Sequence, residues 1–191
     1  MEFIDLQFIS LNEKSEDELA EEYKYFNKET HGRNWNSTIV NREFKPYNKN
    51  NIFELGTGIG YGTMWMANNL CLHPESVIYT AGIDPKPGID AKAKENLEPF
   101  NNVKYFNKYG NQVMRELGLT FDLIYIDGTH KYLSVLNDAK FSLQYLKDTG
   151  IIIFDDYSKE WPDVVKAVDE FVNEFKLITK PIGDTQIMVR R

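Results

Sequence analysis

Three sets of residues in this 191-residue chain have types and spacings that could do chemistry. The first is Glu54-Leu55-Gly56-Thr57-Gly58-Ile59-Gly60-Tyr61-Gly62-Thr63, where glycines at 56, 58 and 60 follow a short apolar run. Without a Cβ, such a turn can bend sharply and come close to a ligand. The dinucleotide fingerprint G-x-G-x-x-G would need a third glycine at position 61, where the chain has Tyr61. No Gly-Lys-Ser or Gly-Lys-Thr follows, which excludes a Walker-type phosphate cradle. Glu54 would repel a pyrophosphate but suits a ligand with an ammonium or sulfonium charge. The plain alternative is a structural glycine turn, as any α/β protein uses.

The second is Asp84, 24 residues after Gly60, at the end of the apolar run 77–83. A carboxylate there can accept hydrogen bonds from both hydroxyls of a ribose; Asp84-Pro85 is equally an ordinary turn. The third comprises Asp127, which ends Leu123-Ile124-Tyr125-Ile126, and Asp155-Asp156, which end Ile151-Ile152-Ile153-Phe154. His130 lies three residues after Asp127, and an imidazole titrates near neutral pH, so it can take up a proton. His130 could instead cap a helix start or pack on a bound ligand. His31 and His73 read as surface residues, and Cys71 as a small buried apolar one.

The elements that must position these residues alternate. Strands are expected over 52–55, 77–83, 103–106, 123–126 and 151–154, and helices over 63–70, 91–97 and 111–117. Tyr132, Leu136, Ala139, Leu143 and Leu146 form one helical stripe, which Thr149-Gly150 ends. Trp161-Pro162-Asp163 opens a helix with Val164, Val168, Phe171 and Phe175 on its apolar face. Segments 175–179 and 186–190 read as a closing pair of strands around Gly183. Strand–helix alternation implies a parallel sheet covered by helices on both faces, doubly wound by right-handed crossovers. Ligands of such sheets bind beyond the carboxyl ends of the strands, at the switch in strand order. All the residues above fall just after a strand.

Residues 1–50 are polar and irregular, with a helix-like part at 17–27; Asn48-Lys49-Asn50-Asn51 reads as a linker or turn. Tyr23, Tyr25, Phe26, Trp35, Phe44 and Tyr47 could form a lid, cover sheet edges or make a subunit contact. The whole chain reads as one domain, 1–191, an N-terminal cap segment (1–50) preceding an α/β core (51–191). Lys and Arg number 22 against 29 Asp and Glu, a net charge of −7, which argues against nucleic-acid partners. No apolar run is long enough for a membrane span, and the first residues do not read as a signal peptide. A lone cysteine fits a reducing compartment, so a cytoplasmic location is expected.

Glu54-Leu55-Gly56-Thr57-Gly58-Ile59-Gly60, then Gly82-Ile83-Asp84, then Phe121-Asp122-Leu123-Ile124-Tyr125-Ile126-Asp127-Gly128, in this order, resemble the class I S-adenosylmethionine-dependent methyltransferase family over roughly residues 50–157. The resemblance implies a seven-stranded, mostly parallel Rossmann-like sheet with an antiparallel C-terminal strand. It implies that Glu54, Gly56, Thr57, Gly58 and Gly60 hold the methionine part of S-adenosyl-L-methionine, and Asp84 its ribose. Asp127 adjoins the same cofactor, and Asn111 lies near the adenine, where relatives often have an acid. In the family's 3-2-1-4-5 strand order, Asp127, Asp155 and Asp156 converge, and uncompensated carboxylates would raise one another's pKa. A hard divalent cation removes that conflict; oxygen-only ligation suits Mg²⁺, with Mn²⁺ or Ca²⁺ as alternatives. Within the family this pattern is similar to metal-dependent O-methyltransferases of the catechol type and of the macrolide and aminocoumarin sugar type. The other reading has Asp127 position the loop and Asp155-Asp156 cap the next segment.

Sugar-modifying relatives often have an acid as general base where this chain has Thr129, which cannot do that work, so His130 takes the role beside Asp127. The expected reaction is methyl transfer to the hydroxyl of a small molecule, with no nucleic-acid or membrane partner and a homo-oligomer left open. Metal-independent transfer to nitrogen, carbon or carboxyl oxygen stays open as well, as do hydroxylase-like and nucleoside-binding roles on the same fold.

Overall fold

In the computed structural model, which describes residues 44–191, apolar runs become strands buried on both faces and amphipathic segments become the helices between them. The elements are β1 (Asn51–Leu55), α1 (Tyr61–Asn69), β2 (Val77–Ala81), α2 (Ile89–Leu97), β3 (Val103–Phe106) and α3 (Gly110–Leu117). They continue as β4 (Phe121–Ile126), α4 (Tyr132–Tyr145), β5 (Leu146–Phe154), α5 (Pro162–Phe175), β6 (Ile178–Ile182) and β7 (Gln186–Arg190). The helix expected over 17–27 and the aromatics Tyr23, Tyr25, Phe26 and Trp35 lie outside the described residues.

The seven strands form one sheet in the order β3-β2-β1-β4-β5-β7-β6. The first five pair in parallel and β7 runs antiparallel to both β5 and β6. The chain winds outward from β1 to β3 and then returns to β4 on the other side of β1. The strand order therefore switches between β1 and β4, and the crevice for a ligand lies beyond their carboxyl ends.

Alternate residues of the central strands feed two cores. Phe53, Ile124, Ile126, Ile152 and Phe154 pack with Val113 and Met114 of α3, Leu136 and Ala139 of α4, and Val168 and Phe171 of α5. Ile52, Leu123, Tyr125, Ile151 and Ile153 pack on the other face with Met64, Trp65 and Leu70. Phe44 also belongs to this second cluster, whereas Tyr47 is exposed. Among the described residues no helix is long and apolar enough to cross a membrane.

Several boundaries differ from the sequence expectation, each for a physical reason. Helix α1 starts at Tyr61, two residues early, because Gly60 serves as N-cap in a left-handed conformation (φ 88°). Leu146 belongs to β5 and not to the α4 stripe. It is buried and pairs with Phe121, after which the register skips to Ile151 opposite Leu123, so 147–150 bulge out. Strand β2 stops at Ala81, leaving Ile83 half exposed and Asp84 in the loop. Helix α5 runs through Phe175 and ends on Lys176 at φ 53°, so β6 begins three residues later than expected. Phe175 is 41% exposed and only touches Phe171 at the helix end, so it is not part of the buried face. Pro181 is tolerated because β6 is an edge strand.

Candidate active site

Backbone hydrogen bonds extend the parallel ladder one residue past each central strand. Gly56 N–H donates to Ala81 O (2.8 Å), Asp127 N–H to Leu55 O (2.8 Å) and Asp155 N–H to Ile126 O (3.0 Å). The glycine turn and the two acidic strand ends are thus fixed side by side at the switch point.

The three glycines of the turn serve different ends. Gly56 (φ +100°) lies so close to the end of β4 that a Cβ would fall 1.9 Å from Asp127 O. At Gly60 it would fall 2.9 Å from the Leu97 side chain. At Gly58 (φ +50°) it would meet nothing within 4 Å. The protein's own packing demands glycine at 56 and 60; only Gly58 borders open space. Gly82, not foreseen as a site residue, is equally constrained, its Cβ position lying 2.8 Å from Thr57 N.

Glu54 is 1% exposed. A carboxylate can be held there only with hydrogen-bond donors, and Thr80 Oγ1 supplies one at 2.5 Å, with Thr63 Oγ1 supplying another. Thr57 Oγ1 lies 2.7 Å from Thr80 Oγ1, linking the glycine turn to the same group. Glu54 and Thr80 are register partners in β1 and β2. The polar residue of an otherwise apolar strand facing the polar residue of the next is the signal that could have revealed Thr80.

Asp84 is exposed, and its Oδ1 accepts from Lys86 N–H at 2.8 Å. Asn111 stands in the first turn of α3, where Nδ2 donates to Asp138 Oδ1 at 2.6 Å. Asn111 Oδ1 is buried and receives no hydrogen bond. Burial pushes the Asp138 carboxyl above the ordinary carboxylate range, against the downward pull of the Asn111 bond. Nothing in the sequence singles Asp138 out, because its partner comes from 27 residues away.

Asp127, His130 and Asp156 form the cluster in which one ligand atom from each lies within 4.8 Å of the others. His130 Nε2 is 2.5 Å from Asp156 Oδ2, and its ring stacks on Trp161 at 4.0 Å and 24°. Asp156 takes a left-handed backbone (φ 57°), which aspartate tolerates better than most residues. This cluster differs from the expected trio of Asp127, Asp155 and Asp156 in having His130 where the trio has Asp155. Asp155 borders the same crevice, with Gly128, Thr129 and Val135, but its Oδ1 accepts from Gln186 Nε2 at 3.2 Å. That amide also donates to Tyr125 O–H at 3.1 Å. Gln186 opens β7, and neither it nor the Trp161 stack was foreseen.

Comparison with known proteins agrees with this architecture. The uncharacterized protein R132 of Acanthamoeba polyphaga mimivirus is 30% identical over 136 residues, which covers 64% of this chain; the chain spans 59% of that relative. The O-methyltransferase from Bacillus cereus in complex with SAH superimposes with a TM-score of 0.62 at 19% identity, covering 81% of this chain and 78% of that one. TomG, the O-methyltransferase from Streptomyces achromogenes in complex with SAM, gives 0.59 at 15% identity, covering 81% and 76%. At these identities the likeness is one of fold. The sequence profile described as a methyltransferase domain matches residues 53–157, from the middle of β1 to just past the β5 acids. The chain therefore belongs to the methyltransferase-domain family.

Proposed function

We propose that the chain transfers a methyl group from S-adenosylmethionine to a hydroxyl of a small molecule, with a divalent cation at the Asp127, His130 and Asp156 cluster. The observation that carries this is the glycine turn at the switch point, with open space around the Cβ position of Gly58 and a buried carboxylate, Glu54, in the strand that leads into it. The fold's likeness to O-methyltransferases in complex with SAH and SAM supports it.

In this reading the glycine turn and Glu54 hold the methionine part, Asp84 the ribose and Asn111 the adenine. Bound there, S-adenosylmethionine supplies a methyl group already activated by its sulfonium. The residues of this chain then have three tasks: aligning the acceptor, excluding water and taking the hydroxyl proton. Asp127 and Asp155 border the crevice beyond the ends of β4 and β5, and in this reading the acceptor oxygen lies there. With no cation at the cluster, His130, held edge-on by Asp156 and face-on by Trp161, would receive the proton; with one bound, its lone pair would belong to the metal and the proton would leave to water.

Two carboxylates and an imidazole fit a divalent cation of mixed oxygen and nitrogen preference, which favours Mn²⁺ over the Mg²⁺ of an all-oxygen set. A cation at Asp127, His130 and Asp156 would lower the pKa of a coordinated hydroxyl. A second reading is favoured by the contact between His130 Nε2 and Asp156 Oδ2 at 2.5 Å. There the pair works as oriented base without a metal.

Calorimetry tests the cofactor: SAH should bind and NAD should not, and Glu54→Gln should weaken SAH roughly tenfold, the worth of one charge-assisted hydrogen bond. Absence of SAH binding would remove the reading. With a panel of hydroxyl acceptors, EDTA should abolish transfer and Mn²⁺ restore it, while Asp156→Ala loses activity and keeps SAH. Full activity in EDTA, lost in His130→Ala, would select the metal-free base.

A further inference from the structure

We infer that Asp138 is a positioning residue that turns the Asn111 amide oxygen toward the bound base, and so selects a purine with an exocyclic amine over one with a carbonyl there. The inference rests on the cofactor reading above. A carboxamide presents a donor end and an acceptor end of nearly the same shape, so alone it can serve either kind of purine. An ionised carboxylate only accepts. With Asp138 Oδ1 2.6 Å from Nδ2, the amide has one orientation that makes a bond and one that sets two acceptors against each other.

The oxygen end is then left over. Asn111 Oδ1 is buried and receives no hydrogen bond. Such an oxygen is costly unless a donor reaches it, and an amino group on the ligand is a donor. Its place in the fold suits that use. Gly110, the preceding residue, leaves no room for a Cβ, whose position lies 2.9 Å from Leu55 Cδ2 at the end of β1. Asn111 is thereby held next to the start of the glycine turn. Asp138 reaches it from α4, behind the loop after β4, where its Oδ2 would lie 3.8 Å from a Cβ on Gly128. An asparagine at 138 would make the same bond with less desolvation; what the carboxylate adds is the inability to donate.

The test is calorimetry on the full chain with SAH and with S-inosylhomocysteine, which carries a carbonyl in place of the adenine amine and is otherwise the same. Wild type should prefer SAH at least about tenfold, the worth of one good hydrogen bond. In D138N the partner can donate as well as accept, Asn111 can turn over, and the preference should fall below about threefold. The exchange N111D/D138N puts the accept-only group at 111 and the donor behind it, and should restore the tenfold preference; a merely structural role for Asp138 predicts no such rescue. Undiminished preference in D138N, or no rescue by the exchange, overturns the inference while SAH still binds. Should D138N not fold, the exchange variant carries the test by itself. Wild type that binds neither ligand overturns the cofactor reading and this inference together.

Discussion

Burial acts on single side chains in this protein with consequences that can be measured. It pushes the Cys71 thiol from its ordinary 9.0 up to about 12. Between those values the unfolded chain has lost the thiol proton and the native one keeps it, so the native state binds more protons and stability must fall as pH rises. Relative to C71A, the wild type should lose about 1.4 kcal/mol per pH unit above pH 9, measured by urea denaturation at pH 8, 9 and 10. Equal pH dependence in the two proteins would show that the thiol titrates normally. At the same scale, the places of Glu54, Asp84, Asp127 and Asp156 at or just beyond strand ends could be read from sequence, because position along a strand is a local property. The hydrogen bond to Asp155 could not be read, since its partner Gln186 arrives from β7 across the sheet. Asp138 was invisible for the same reason: one more charge on a helix means nothing until α3 packs against α4.

The glycine turn between β1 and α1 is an element whose residues the sequence presents as equivalent and the packing does not. A methyl group at Gly56 would occupy the space of the Asp127 carbonyl. That overlap is between two backbones, neither of which has a rotamer to move, so G56A should cost about 3 kcal/mol or more. At Gly58 the space is open and only the left-handed backbone resists, at about 1 kcal/mol. G58A should therefore remain folded yet lose SAH affinity, whereas G56A should lose both together; denaturation and calorimetry on the two variants decide it. A fold-preserving G56A would mean that β1 and β4 are not clamped at their ends. Alternation of strand and helix was legible throughout the described residues, because apolar runs and helical stripes differ in period. Boundaries were not. Phe171, Val172 and Phe175 satisfy a helix end and a strand start alike, and the decision comes from Lys176, which accepts a left-handed backbone and closes α5.

At the scale of the molecule, each central strand sends alternate side chains into two cores that share no residue. Ile52 lies on one side and Phe53 on the other, and the same division holds for Tyr125 and Ile126 and for Ile153 and Phe154. Among the described residues the sheet is what the cores have in common, and its β1, β4 and β5 strands contribute to both. Loss of packing on either face should therefore weaken the same seven-stranded unit, not a half of it. Phe171 lies under α5 in one core and Met64 under α1 in the other, and both are 0% exposed. F171A and M64A should each destabilise by about 3–4 kcal/mol. Each should move one transition, with far-UV circular dichroism and tryptophan fluorescence coinciding at a lowered midpoint. With Trp35 replaced by phenylalanine throughout, Trp65 reports from the second core and Trp161 from the site, so a divided molecule would betray itself as two midpoints in the fluorescence of either variant. Such a split would mean that the turn at Gly58 and the His130–Asp156 pair are built on separately stable halves. One shared transition means that they are held in register by the cooperativity of the sheet itself, which is what a reaction requiring alignment across β1, β4 and β5 needs.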